Sequence, residues 1–101
     1  MTDHDPLVLI NAFEVPEDRD DEFIAGWSAA CEFLDAQPGY LGTALHESVA
    51  PGSAFRSVNV ARWRTADEFG AATSSDGFRA AAAAGLAKFT SHPGLYRVAR
   101  T

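Results

Sequence analysis

The stretch SVNVARWRTADEF, Ser57 to Phe69, carries two side chains that could do chemistry. Successive residues of a strand face opposite ways, so Ser57, Asn59, Ala61 and Trp63 share one side and Val58 and Val60 the other. An amide buried without a partner costs on the order of 1–3 kcal/mol, so Asn59 needs one, and the oxygen of a bound carbonyl or phenolate could serve. Trp63 offers a single N–H donor on a broad apolar ring that can stack on an aromatic ligand. An amide bonded across the sheet and an indole filling the core would fit the same pattern. Asn11, in LVLINAFEV, has the parity of Leu9 and Phe13, and a cross-strand bond to Asn59 is one use for it. His46 carries an imidazole, the kind of side chain that suits abstraction of an activated C–H or phenol proton. It lies on the opposite parity from Thr43 and Leu45, toward an interface or a strand end.

The elements that must position these residues follow from local pattern. Leu7 to Val15 has the β-branched and aromatic content of a strand, closed by Pro16. Asp18 is expected to cap a helix with Asp20, Asp21 and Glu22 in its first turn, where negative charge suits the helix dipole. Phe23, Trp27, Ala30, Cys31 and Leu34 then form one apolar stripe, ended by QPG. Tyr40 to Ser48 and Phe55 to Trp63 read as strands, and Thr65-Ala66-Asp67-Glu68 as a capping box that starts a helix at once. That helix is expected to pause at SSDG and resume from Phe78 to Phe89, with HPG breaking it before a last strand, Leu95 to Arg100.

The order β-α-β-β-α-β predicts an α+β, ferredoxin-like fold: a four-stranded antiparallel sheet with two helices on one face and the first and third strands in its middle. Asn11 and Asn59 become neighbours. Both sheet faces read as apolar, with Val8, Ile10, Ala12, Ala44, Val58, Val60 and Val98 on one and Leu7, Leu9, Phe13, Leu41, Leu45 and Leu95 on the other. Two helices cover only one face, so a homodimer through the sheet faces is expected.

At 101 residues the chain reads as a single domain, 7–101, behind a flexible N-terminus, 1–6. Fourteen acidic against eight basic side chains give a net charge of −6, without the basic cluster that nucleic acid requires. No apolar run suits a membrane, and the opening Met-Thr-Asp-His-Asp-Pro lacks the basic and apolar segments of a signal peptide, so a cytoplasmic protein is expected. Cys31 reads as a small core residue. His4, in a terminus expected to fray, His46 and His92 have no metal-ligand spacing, and no phosphate-binding or nucleophile motif is present. The alanine run Ala80 to Ala84 reads as a closely packing helix surface or as a cavity wall with room for a flat ligand.

The chain resembles the antibiotic biosynthesis monooxygenase family of dimeric α/β barrels, over roughly Leu7 to Arg100. The resemblance rests on FEVPED, QPGYLGTALHES and VNVARWRTADEF, which specify the fold more strongly than the reaction. It implies two chains packed through their sheets, and in each an apolar cavity between sheet and helices. Among relatives, some oxidise phenols such as anthrones to quinones without metal or flavin, some oxidise quinols and some degrade heme. The resemblance implies that Asn59 and Trp63 bind and polarise a substrate oxygen, that Asn11 contacts substrate or oxygen, and that His46 matches a histidine of the polyphenol-oxidising branch. Phe69 stands where the anthrone-oxidising branch has a tyrosine, which leaves it only packing on the substrate. Arg79 resembles a helix arginine that can stabilise an anionic oxygen, against the plain reading of a solvated surface residue. Ala82 replaces the iron-ligating histidine of the heme branch, and a methyl group cannot ligate iron.

The reading is a cofactor-independent monooxygenase acting with O2 on a small electron-rich aromatic, with catalytic Asn59 and Trp63, substrate-binding Asn11, His46, Phe69 and Arg79, and no metal. The alternatives are a non-redox isomerase or cyclase, a ligand-binding protein on the same barrel, and, further back, a heme-degrading enzyme.

Overall fold

Backbone pairing at the centre of the sheet places Asn11, Asn59 and Trp63. The computed structural model describes residues 6–101. The expected flexible segment therefore falls almost entirely outside the described residues, as does His4. Strand β1 (Leu7–Glu14) pairs antiparallel with β3 (Ser57–Trp63), with Asn11 directly opposite Asn59. Strand β2 (Tyr40–Glu47) flanks β3, and β4 (Thr90–Tyr96) flanks β1, giving the order β2-β3-β1-β4. This is the four-stranded, α+β ferredoxin-like sheet that the element order predicts. It is an open sheet, and three α-helices cover it where two were expected: α1 (Asp20–Asp35), α2 (Ala66–Thr73) and α3 (Asp76–Ala83).

The helices lie over the face carrying Leu7, Phe13, Ala61 and Trp63. Phe13, Val15, Phe23 and Phe89 form one buried cluster, with the α1 residue Trp27 against it. Ala61, Trp63 and Ala72 form a second, with Phe69 and Tyr40 packed alongside. The other face stays uncovered: Ile10 is 38% exposed, and Val8, Val58 and Val60 are half-buried at best. Among the described residues, no helix is long and apolar enough to cross a membrane.

Several local expectations are corrected. Asp18 does not cap α1; it sits in a 3-10 turn, Glu17–Arg19, and α1 begins after it without a side-chain cap. The Thr65 hydroxyl does accept the Glu68 N–H, at 3.1 Å, but the Glu68 carboxylate takes Arg64 and the Thr65 hydroxyl instead of returning to the backbone. Leu41 does not join Leu45 inside. A register irregularity between Tyr40 and Gly42 switches the parity of β2, so Tyr40 and Thr43 point under the helices and Leu41 is 45% exposed. HPG is not a break between elements but lies within β4, which runs four to five residues earlier than expected. Pro93 is tolerated because β4 is an edge strand and needs hydrogen bonds on one side only. Val98 consequently falls beyond the strand.

The second helical stretch does pause near Ser74 and Ser75, but α3 starts at Asp76 and stops at Ala83 rather than continuing to Phe89. Gly85 explains the stop. A Cβ on Gly85 would stand 3.0 Å from the Cα of Gly26 on α1, so the two backbones meet where only hydrogens fit. The chain then turns through Leu86–Lys88 as a 3-10 turn into β4. A Cβ on Gly26 would sit 2.6 Å from the Leu86 nitrogen and 2.8 Å from the Gly85 carbonyl carbon. Gly26→Ala should therefore destabilise the fold. Overpacking typically costs about 1–3 kcal/mol, more than the roughly 0.5–1 kcal/mol that alanine gains over glycine in a helix. A lowered urea midpoint is expected, and an unchanged or raised one would show that the α1 crossing is not tight.

Candidate functional site

Between the two buried clusters the inner face of the sheet carries small or polar side chains, and a cavity remains there. Asn11, Asn59 and Ala61 form its floor, α1 contributes Trp27 and Cys31, and Tyr40, Trp63 and Phe69 close one end. The inner space is only about 60 Å³. It shares Asn11, Phe69 and Phe78 with a wider space of about 360 Å³ bounded by Ala82 on α3 and by Ser91 and Pro93 on β4. A benzene-sized guest needs about 150 Å³. The inner chamber is therefore too small for a whole benzene ring, and only the outer one has room for a guest of that size.

The polar groups of this cavity divide into paired and unpaired. The Asn59 Oδ1 accepts the Trp27 indole N–H at 3.1 Å and the Thr43 hydroxyl at 2.5 Å. By contrast, Asn11 Oδ1, the Tyr40 hydroxyl and Trp63 Nε1 are buried with no hydrogen-bond partner. Trp63 is 1% exposed, with its ring edge-on to Tyr40 at 5.1 Å and to Phe69 at 5.6 Å between centroids. Asn11 and Asn59 are register partners without bonding to each other, which corrects the expectation of a cross-strand amide pair.

Burial pushes the Tyr40 phenol up to about 12, and the neighbouring Cys31 adds to the shift. Burial likewise pushes the Cys31 thiol up to about 11. Both groups are protonated at neutral pH, so Tyr40 is a donor and Cys31 is a poor nucleophile. Among the described residues, the walls of the inner and outer spaces hold no carboxylate, imidazole or guanidinium, and no group of three or more His, Cys, Asp and Glu could hold a metal ion.

The structure brings Asn11, Asn59, Trp63 and Phe69 together around one cavity. It does not bring His46 or Arg79 there. His46 is exposed on the uncovered sheet face beside Ala44 and Arg62. Arg79 is exposed on α3, paired with Asp76 at 3.1 Å and donating to the Ser74 carbonyl at 3.0 Å. Three residues of the site were missed by the sequence pattern: Trp27 and Cys31, absorbed into the apolar stripe of α1, and Tyr40, whose inward direction depends on the irregularity in β2. The available signal for Trp27 was its N–H, which a buried indole must place against an acceptor.

Fold and cavity together define a ferredoxin-like α+β domain with a ligand-sized hollow between sheet and helices. The chain belongs to the antibiotic biosynthesis monooxygenase family, whose model matches residues 6–84. Among solved structures it is similar to a candidate monooxygenase from Shewanella loihica PV-4, at 39% identity and a TM-score of 0.81 over 96% of this chain and 97% of that one. It is also similar to SnoaB, a cofactor-independent oxygenase from Streptomyces nogalater, at 29% identity and a TM-score of 0.81, covering 96% of each chain. No curated protein matches it. Family and relatives support a monooxygenase-type function.

The raised values of Cys31 and Tyr40 set a sign for alkaline stability. The native state holds these protons more tightly than the unfolded chain, whose groups titrate near their ordinary 9.0 and 10.0. Their contribution is intact below those values and is lost as pH rises through them toward about 11 and about 12. Urea midpoints should fall across this window, and less steeply for Cys31→Ala than for the wild type. Parallel slopes for the two proteins would rule out a buried thiol.

Proposed function

We propose that the chain is a cofactor-independent monooxygenase that oxidises a small electron-rich aromatic, an anthrone, phenol or quinol, with O2. The observation that carries this reading is the set of unpaired groups in one apolar cavity: the Trp63 N–H, the Tyr40 hydroxyl and the Asn11 oxygen. Such groups call for a guest with an oxygen that accepts hydrogen bonds and a hydroxyl that donates one, which an aromatic enol or phenol supplies. With donors aimed at its oxygen, the substrate enolate or phenolate is favoured over its neutral form. The electron-rich carbon of that anion then reduces O2, a C–O bond forms to give a peroxide, and loss of water leaves the carbonyl. For an anthrone, CH2 and O2 become C=O and H2O, and all the electrons come from the substrate.

An isomerase or cyclase on the same fold needs a general base, and the described walls carry neither carboxylate nor imidazole. An oxygenase whose substrate is itself acidic needs only donors, and that favours the oxygenase reading. Oxygen uptake with a model anthrone tests it. Asn59→Ala and Trp63→Phe should each lower kcat/KM by roughly 10–100-fold, at or below the lower end of the roughly 100–1000-fold that loss of one oxyanion donor costs. A double variant as active as wild type would remove both residues from the mechanism.

The same reading includes a homodimer through the uncovered face, where Val8, Ile10, Val58 and Val60 form an apolar surface. Light scattering should give twice the 10.8 kDa of the chain. A stable species at the mass of one chain would sink the dimer without touching the cavity.

A further inference from the structure

The Asn59 amide has two ends, and what it offers a ligand depends on which end faces the cavity. Its oxygen is engaged twice, by Trp27 Nε1 at 3.1 Å and Thr43 Oγ1 at 2.5 Å, while Nδ2 has no protein partner among the described residues. The two neighbours do not constrain the amide equally. A hydroxyl both donates and accepts, so Thr43 would be satisfied by either end: it can give its proton to Oδ1, or give it to the Val60 carbonyl, 3.2 Å away, and accept from Nδ2. An indole N–H only donates. A flipped Asn59 would set NH2 against N–H and leave both unpaired, so Trp27 alone among these neighbours distinguishes the orientations.

We propose that Trp27 is a positioning residue: its indole N–H fixes the Asn59 amide with Nδ2 as the free end, so that the site presents a donor, not an acceptor, to a ligand oxygen. The inference rests on the reading above in one respect, that Asn59 faces such an oxygen. The two tryptophans of the chain then have opposite tasks. Trp27 spends its N–H on the protein, from helix α1 onto strand β3, whereas Trp63 keeps its N–H unpaired in the cavity. Without the Trp27 donor both amide orientations become accessible, and a ligand that needs one of two evenly populated states binds about twofold more weakly.

Trp27→Phe keeps most of the ring and removes the donor. In spectra of the 15N-labelled protein, wild type should show one pair of Asn59 side-chain amide signals, and a Trp27 indole proton that exchanges slowly. In Trp27→Phe, with a backbone spectrum that remains folded, the Asn59 pair should broaden or double. An unchanged pair overturns the proposal. Calorimetry with 1,8-dihydroxyanthraquinone supplies the second readout. The Trp27→Phe loss should be about twofold beside a native Asn59 and absent in the Asn59→Ala background, because the indole acts through the amide. Equal losses in the two backgrounds would mean that the indole only packs, and the proposal falls. Should wild type bind no such probe, the functional reading fails on its own, and the amide signals still decide what Trp27 does.

Discussion

The pairing of β1 with β3 is the constraint on which the rest depends. With Asn11 opposite Asn59, one register puts two amides side by side under the helices, and a slip of β1 by one residue would turn Asn11 out and bring Ile10 in. The apolar residues at either end of the pair, Leu7 and Phe13 on β1 and Trp63 on β3 with the small Ala61 beside it, are buried and hold that register. The strands are thus fixed by their ends, and the middle is free to carry groups that packing alone would not select.

Those groups are costly. A buried polar atom left unpaired loses about 1–3 kcal/mol, so Asn11 Oδ1, the Tyr40 hydroxyl and Trp63 Nε1 together forgo about 3–9 kcal/mol against a typical domain stability of ~5–15 kcal/mol. A chain of 101 residues, with a correspondingly modest core, has little surplus to spend this way. Three such atoms around one hollow are better explained as partners of something that enters it, water or ligand, than as errors of packing. The same hollow splits the core into two clusters, one around Phe13 and Phe23 and one around Trp63.

Much of this was legible in the sequence because it depends on period and order alone. Strand alternation set Asn59, Ala61 and Trp63 on one face, and the order of elements set β1 beside β3. What was not legible depends on contacts between distant segments. Tyr40 reaches the cavity only because the irregularity before Gly42 switches parity, and no residue-type pattern announces it. The end of α3 is decided by the meeting of Gly85 with Gly26, two positions far apart in sequence. Pro93 read as a terminator, although at a sheet edge it costs no ladder bond. Trp27 fitted the apolar stripe so well that its single polar atom was overlooked, and that atom is the one that holds Asn59.

The electrostatic character of the cavity narrows what chemistry it can assist. With Cys31 and Tyr40 both pushed up by burial, and with Arg79 and His46 directed elsewhere, its described walls are uncharged at neutral pH. Neutral donors stabilise an anion less than a fixed cation does, since hydrogen bonds with one charged partner contribute about 1.5–3 kcal/mol each. The two unpaired donors, Trp63 Nε1 and the Tyr40 hydroxyl, with Asn59 Nδ2 as the proposed third, can depress the pKa of a bound acid by a few units, not by ten. On the proposed reading, the missing acidity must come from the substrate, which restricts the guest to enolisable or phenolic aromatics whose anions are already accessible in water. An unactivated ring would remain neutral in this hollow, and its electrons would stay out of reach of oxygen.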